Sequence, residues 1–286
     1  MSVAFILLQQ LEKSNINTNT TNTTNIKYTL QKSPIDSRDH VMITKPTVTI
    51  SSVNLSGRCP PVFDQGQMGS CTANATACMH YCLQKKSNEF IPSRLYIYYN
   101  SRVLQNDVKR DDGATLRVTI ASIAKNGVCH ETIWPYNPAN LYTKPTLNCY
   151  KEGATRRISA YASIAIQLAQ MKGALQGGFP FVLGILVYSS FVSNSVAMTG
   201  NVPIPNTRRE QLLGGHAVCV IGYDDSKSAF LVRNSWGPRW GWNGNFWLPY
   251  AYATNPNLAF DAWALYSDRL VASSPNVSVT IPTHLK

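Results

Sequence analysis

Four polar side chains have the types needed to break an acyl bond together: Cys71, His216, Asn234 and Gln65. Cys71 stands where the turn Asp64-Gln65-Gly66-Gln67-Met68-Gly69-Ser70 gives way to an alanine-rich run, Thr72 to Lys86, that contains neither Gly nor Pro. Ser70 is placed to cap the helix this run predicts. A thiol in the first turn feels the positive end of the helix dipole, which favours thiolate over thiol. Gln65 lies upstream in the same turn, and its carboxamide can fold back toward the sulfur. A nucleophilic thiolate beside an amide donor is half of an acyl-transfer site.

The other half is a base and a group to orient it. Of the five histidines, His216 opens a strong apolar strand, Gly215 to Tyr223. A polar turn, Asp224 to Ser228, leads into a second strand, Ala229 to Trp236, so the pair reads as an antiparallel hairpin. With the turn centred near Ser226, position 216 faces roughly position 236, which brings Asn234 within about two residues of His216. A carboxamide oxygen there can accept one imidazole N–H, fix the tautomer and leave the other ring nitrogen for the thiol.

These segments resemble the papain-like cysteine peptidases, the group that includes the cathepsins. The resemblance rests on Gln65 to Cys71, His216-Ala217-Val218, Asn234-Ser235-Trp236-Gly237, and the Gly- and Trp-rich continuation to Phe246. In that family the His and Asn follow the cysteine by about 130–150 residues; here they follow by 145 and 163. The resemblance implies Cys71 as nucleophile, with its N–H and the Gln65 amide as the oxyanion hole. It implies His216 as acid and base, Asn234 as its orienter, and Trp236 as a shield over their contact. Gly113 and Ala114 are similar to the stretch that binds substrate backbone, where a small residue lets a peptide approach, and Gly215 suggests an open wall beside His216.

Three positions depart from papain and the cathepsins. Met68 stands where they have a disulfide cysteine, Thr72 replaces an aromatic, and Ala114 replaces a common Gly. None removes a catalytic group. The variant of the motif is similar to a compact branch found in bacteria and large DNA viruses.

The chain has 286 residues, 44% of them hydrophobic, enough for one large core or two modest lobes. Its formal charge of +11 comes from scattered basic pairs such as Lys85-Lys86 and Arg156-Arg157, not from a basic arm, so no nucleic-acid partner is expected. Seven cysteines, odd in number, show no CxxC or Cys/His zinc spacing. Cys78 and Cys82 share a helix face with Cys71 and are expected to pack against the second lobe. Neither a metal nor a cofactor is expected. The cysteine pattern fits a reducing compartment. Val3 to Leu8 is too short for a membrane span and lacks the flanks of a signal peptide, so an intracellular or virion-associated location is expected, with a secreted or lysosomal one as the alternative.

Helical patterns occupy the first half (Pro92 to Leu104, Thr115 to Asn126) and a further one covers Ile164 to Gln176. Strand patterns cover Phe181 to Val187, 217–223, 229–234 and 245–248. This order predicts an α+β fold of the papain-like two-lobe type: a helical left lobe, a β-sheet or barrel-like right lobe, and an active-site cleft between them. The expected organisation is a low-complexity Asn/Thr segment over 1–26, an extended segment over 27–58, a catalytic domain over 59–270 with its lobes meeting near 155, and a tail over 271–286. The expected function is that of a monomeric cysteine endopeptidase cutting extended or unfolded polypeptides through a Cys71 thioester. A catalytically silent peptide-binding protein of the same fold, and a transpeptidase or amidase, are the alternatives. Residues 1 to about 56 hold no cathepsin-type helical pro-region and either cover the cleft or dock behind it.

Overall fold

The computed structural model describes residues 26–46, 49–158, 160–266, 274 and 276–280; the Asn/Thr tract and the apolar run at the start of the chain lie outside them. A nine-stranded open sheet carries the architecture, with strands β1 (Val41–Thr44), β2 (Ser52–Asn54), β3 (Ala160–Ile164), β4 (Phe181–Tyr188), β5 (Leu212–Asp224), β6 (Ala229–Arg233), β7 (Asn245–Pro249), β8 (Ala259–Tyr266) and β9 (Val277–Thr280). Their order is β7-β6-β5-β4-β8-β3-β1-β9, with β2 paired to β5. Only the β1–β3 pair is parallel; the rest are antiparallel.

Side-chain alternation divides the core in two. Along β5, Ala217, Cys219 and Ile221 face the helices α1 (Cys71–Cys82), α2 (Arg94–Leu104) and α3 (Leu116–Asn126). Val218 and Val220 face the opposite way, toward α5 (Leu168–Gln176) and α6 (Asn194–Thr199). A fourth helix, α4 (Leu147–Thr155), flanks α3, and the short α7 (Tyr250–Ala253) follows β7. The fold is α+β as the order of patterns implies: after β1 and β2, helices α1 to α4 come first and the other seven strands follow them.

Helix α1 is buried almost all round, which is how a central helix reads. It ends at Cys82, short of Lys86. Ser70 does not cap it; the Ser70 hydroxyl instead meets Tyr136 Oη at 2.5 Å and receives Asn74 Nδ2 at 3.0 Å. Helix α2 begins at Arg94 because Ser93 takes the cap from the Tyr96 N–H, and Thr115 caps α3 in the same way. The expected helix over Ile164 to Gln176 is shorter: Ala160 to Ile164 pairs with β8 as a strand, so the helix starts at Leu168. That strand alternates weakly, and pairing rather than pattern decides it. The segment 27–58 supplies β1 and β2. Val277–Thr280, in the expected tail, is the edge strand beside β1.

Candidate active site

The Gln65 turn is fastened to the β6 end of the sheet before the helix begins. Gln65 N–H donates to Ser235 O at 2.9 Å, and Gln65 Oε1 accepts from Ser235 Oγ at 2.6 Å. Its Nε2 donates one proton to Met68 O at 3.0 Å, leaving the second N–H of that amide. Gly69 N–H donates to the Asp111 carboxylate, which also accepts from Tyr98 Oη at 2.6 Å. Tyr98 Oη in turn accepts the Gly113 N–H at 3.2 Å. One buried carboxylate therefore ties the turn before Cys71 to the Gly113 segment. Asp111 carries no motif signal and was not anticipated; only its place beside Asp112-Gly113 hints at it.

The hairpin register is close to the expected one. Cys219 faces Arg233 and Asp224 faces Ala229, with a bulge between Val220 and Gly222. Beyond the last pair, His216 Nε2 lies 2.9 Å from Asn234 Oδ1. Asn234 Oδ1 also accepts the Ser235 N–H at 2.9 Å, so this atom is an acceptor and the proton of the imidazole pair sits on Nε2. His216 Nδ1 is then the basic nitrogen, and it is buried with no partner. Cys71 and Ala217, the residue after His216, lie in the same buried cluster where α1 packs on β5, so the thiol rests on the strand that carries the imidazole. Trp236 covers the imidazole with ring centroids 4.9 Å apart and planes at 31°.

The electrostatics differ from the expectation of a thiolate. Burial pushes the Cys71 thiol up to about 11, outweighing the N–H donors around the sulfur. Burial also pulls His216 down to about 4 against the Asn234 bond. Both groups are neutral at pH 7 because the site is closed: Cys71 is 1% and His216 0% exposed. No side-chain cap engages the first turn of α1, so its positive end remains directed at the site; desolvation outweighs that dipole while water is kept out.

The closing element is the chain itself. Tyr28, Thr29 and Leu30 lie across the expected substrate-binding residues. Leu30 N–H donates to Gly215 O at 3.2 Å, and Thr29 bridges Gly215 in parallel. The Tyr28 ring stands edge-on to His216 at 6.5 Å and to Trp236 at 6.1 Å. Lys27 Nζ reaches Asp111 at 2.7 Å. A Cβ on Gly113 would come within 2.4 Å of Thr29 Oγ1, and one on Gly215 within 2.1 Å of Leu30 O; these glycines admit a polypeptide backbone and here hold residues 28–30. Ala114 is buried in the same segment. The strap itself has little sequence signal beyond the glycines that receive it.

A helix-start thiol, an imidazole and a carboxamide meeting where a helical layer joins a sheet define a thiol-dependent hydrolase. The chain belongs to the papain family of cysteine proteases, and it is a peptidase: the family model for papain family cysteine protease matches residues 50–262. A peptidase C1-like protein of Acanthamoeba polyphaga mimivirus is 39% identical over 82% of this chain and 85% of its own length. Xylellain, a cysteine protease from Xylella fastidiosa, shares 37% identity and a TM-score of 0.76, covering 85% of this chain and 97% of that one. A cathepsin B-like protein of Giardia intestinalis is 24% identical, and the match spans 65% of this chain and 63% of that relative. The strap precedes the residues that the family model matches. No helix of the described residues is long and apolar enough to cross a membrane.

Proposed function

We propose that this chain is an endopeptidase that forms a thioester on Cys71 and is held latent by its own residues 26–30. When the strap leaves and water or substrate enters, the Cys71 proton passes to His216 Nδ1 and the sulfur attacks a peptide carbonyl. The Cys71 N–H and the second Gln65 Nε2 proton receive the oxyanion. The His216 imidazolium then gives its proton to the departing amine, and a water, deprotonated by the same nitrogen, releases the acid from the thioester. Asn234 positions His216, Trp236 keeps water from their contact, and Gly113, Ala114 and Gly215 take the backbone of an extended or unfolded substrate.

The observation that carries this reading is the acceptor role of Asn234 Oδ1, which leaves a buried, proton-free Nδ1 on the strand against which α1 and Cys71 pack. A binding protein gains nothing from a desolvated base. All seven cysteines are free thiols, which supports work in a reducing compartment. The test is an epoxysuccinyl inhibitor applied to protein lacking residues 1–31. A single adduct mapped to Cys71, with casein cleavage abolished by Cys71→Ser, is the expected result. Equal casein cleavage by Cys71→Ser and parent would overturn it, and amide transfer to an added amine without hydrolysis would reassign the enzyme as a transpeptidase.

A further inference from the structure

Away from the active site, three more cysteines converge. Cys59 follows the short turn Ser56–Arg58, while Cys78 and Cys82 lie one helical turn apart on α1. Their sulfurs all lie within 4.8 Å of one another, and Cys59 Sγ is 3.1 Å from Cys82 Sγ. Cys78 and Cys82 are buried and Cys59 is half-buried. A further thiol, Cys219 on β5, is buried in the same core cluster as Cys78 and Cys82. Packing explains one buried thiol against a sheet, but three sulfurs brought to a common point from a turn and a helix is the arrangement of a ligand set.

We propose that Cys59, Cys78 and Cys82 hold a zinc ion, the fourth position being completed by a water or by the thiol of Cys219 from the same core. Zinc–thiolate bonds of about 2.3 Å in a tetrahedron put the sulfurs roughly 3.8 Å apart, between the 3.1 Å and 4.8 Å that bound the separations here, so shifts of at most about an ångström suffice. Soft thiolate ligands without oxygen donors favour such an ion over calcium or magnesium. Binding replaces one proton on each coordinating thiol, and the protons go to solvent. Three thiolates and one Zn²⁺ leave a single negative charge. The Arg233 guanidinium, held by Pro60 O at 2.9 Å and Asn245 Oδ1 at 2.8 Å, acts on Cys59 and Cys78 and offsets it.

The position gives the ion a structural task. Cys59 and Cys82 are separated by 23 residues, and both Gln65 and Cys71 lie between them. A metal clip there closes the loop that carries the turn before the helix and fastens it to α1. Met68 shows that no disulfide forms within that turn, and the clip supplies a cross-link in its place.

The experiment uses full-length, reduced protein carrying Cys71→Ala, so that the active-site thiol cannot contribute a ligand and the outcome does not depend on catalysis. Co²⁺ titration is expected to give thiolate-to-metal charge-transfer absorption with tetrahedral d–d bands, bleached by one equivalent of Zn²⁺. Elemental analysis after gel filtration is expected to find one zinc per chain. Adding Cys59→Ala should reduce that to near zero, while Cys149→Ala, a buried cysteine elsewhere, should leave it unchanged. X-ray absorption on the zinc-loaded protein needs no further variant and should show three or four sulfurs at about 2.3 Å. A shell of nitrogen and oxygen only, or a zinc count indifferent to Cys59→Ala, overturns the proposal. So does failure of the reduced protein to take up metal while air oxidation removes 2 Da, roughly the two hydrogens lost on joining Cys59 to Cys82.

Discussion

Truncating Leu30 tests whether residues 26–30 act as a removable cover. Leu30 is 5% exposed and packs toward Gly184 in the helical-side core, making it the main apolar anchor of the strap. Losing a buried Leu side chain costs about 2–5 kcal/mol. The opposing forces are already substantial, because the Tyr28 and Thr29 hydroxyls are buried without partners, each at about 1–3 kcal/mol. The Lys27–Asp111 pair adds little, with Lys27 47% exposed. A shift of only about 1.4 kcal/mol toward the open strap is tenfold in open population, so Leu30→Ala should speed alkylation of Cys71 by at least about tenfold. Thr29→Val, which removes one orphan hydroxyl at nearly constant shape, should slow it. The assay is the second-order rate of iodoacetamide modification, mapped to Cys71 by peptide mass and repeated across pH. With the strap closed, the burial that holds the thiol near 11 makes the rate climb steeply toward alkaline pH. In Leu30→Ala the thiolate should form at lower pH, because solvation removes the dominant cause of the upward shift. Identical rates and identical pH profiles in wild type, Leu30→Ala and Thr29→Val would refute the strap as a cover and assign residues 26–30 a purely structural role.

Removing residues 1–31 should activate casein cleavage, whereas removing 1–56 should yield insoluble protein, since it deletes β1, β2 and fully buried Met42; comparable soluble yields of the two truncations would contradict this. In the 1–31 truncation, Gln65→Ala should lower turnover by about 10²–10³ with little change in KM, read by steady-state kinetics on a fluorogenic peptide. His216 binds its proton near 6.5 when unfolded but only near 4 when folded. Its contribution to stability is therefore complete above pH 6.5 and lost as pH falls toward 4, about 3 kcal/mol in all; denaturant unfolding of His216→Asn should show a pH 7 to pH 4 drop smaller than wild type by that amount. Gly127→Ala should destabilise by about 3 kcal/mol or more, because Gly127 has φ +68° and a Cβ there would lie 1.8 Å from Gly153 O; an unchanged melting temperature would show that α3 and α4 can separate at no cost.

Residue type and order alone placed Cys71 at a helix start and His216 on a strand whose partner carries Asn234, because helix and hairpin periodicities are local and the turn residues between the strands set the register. The helical first half and stranded second half were legible for the same reason. Tertiary structure decided what no local pattern encodes. Ala160–Ile164 became a strand through pairing with β8, and Ser70 gave its hydroxyl to Tyr136 instead of capping α1. Asp111 became the link between the Cys71 turn and the Gly113 segment only because residues distant in the chain converge on it. The charge state of the site was decided the same way: a helix dipole can be inferred from sequence, but desolvation depends on what covers the sulfur. Here the cover is Tyr28 to Leu30, laid across glycines that the sequence marks as open to a backbone without saying whose.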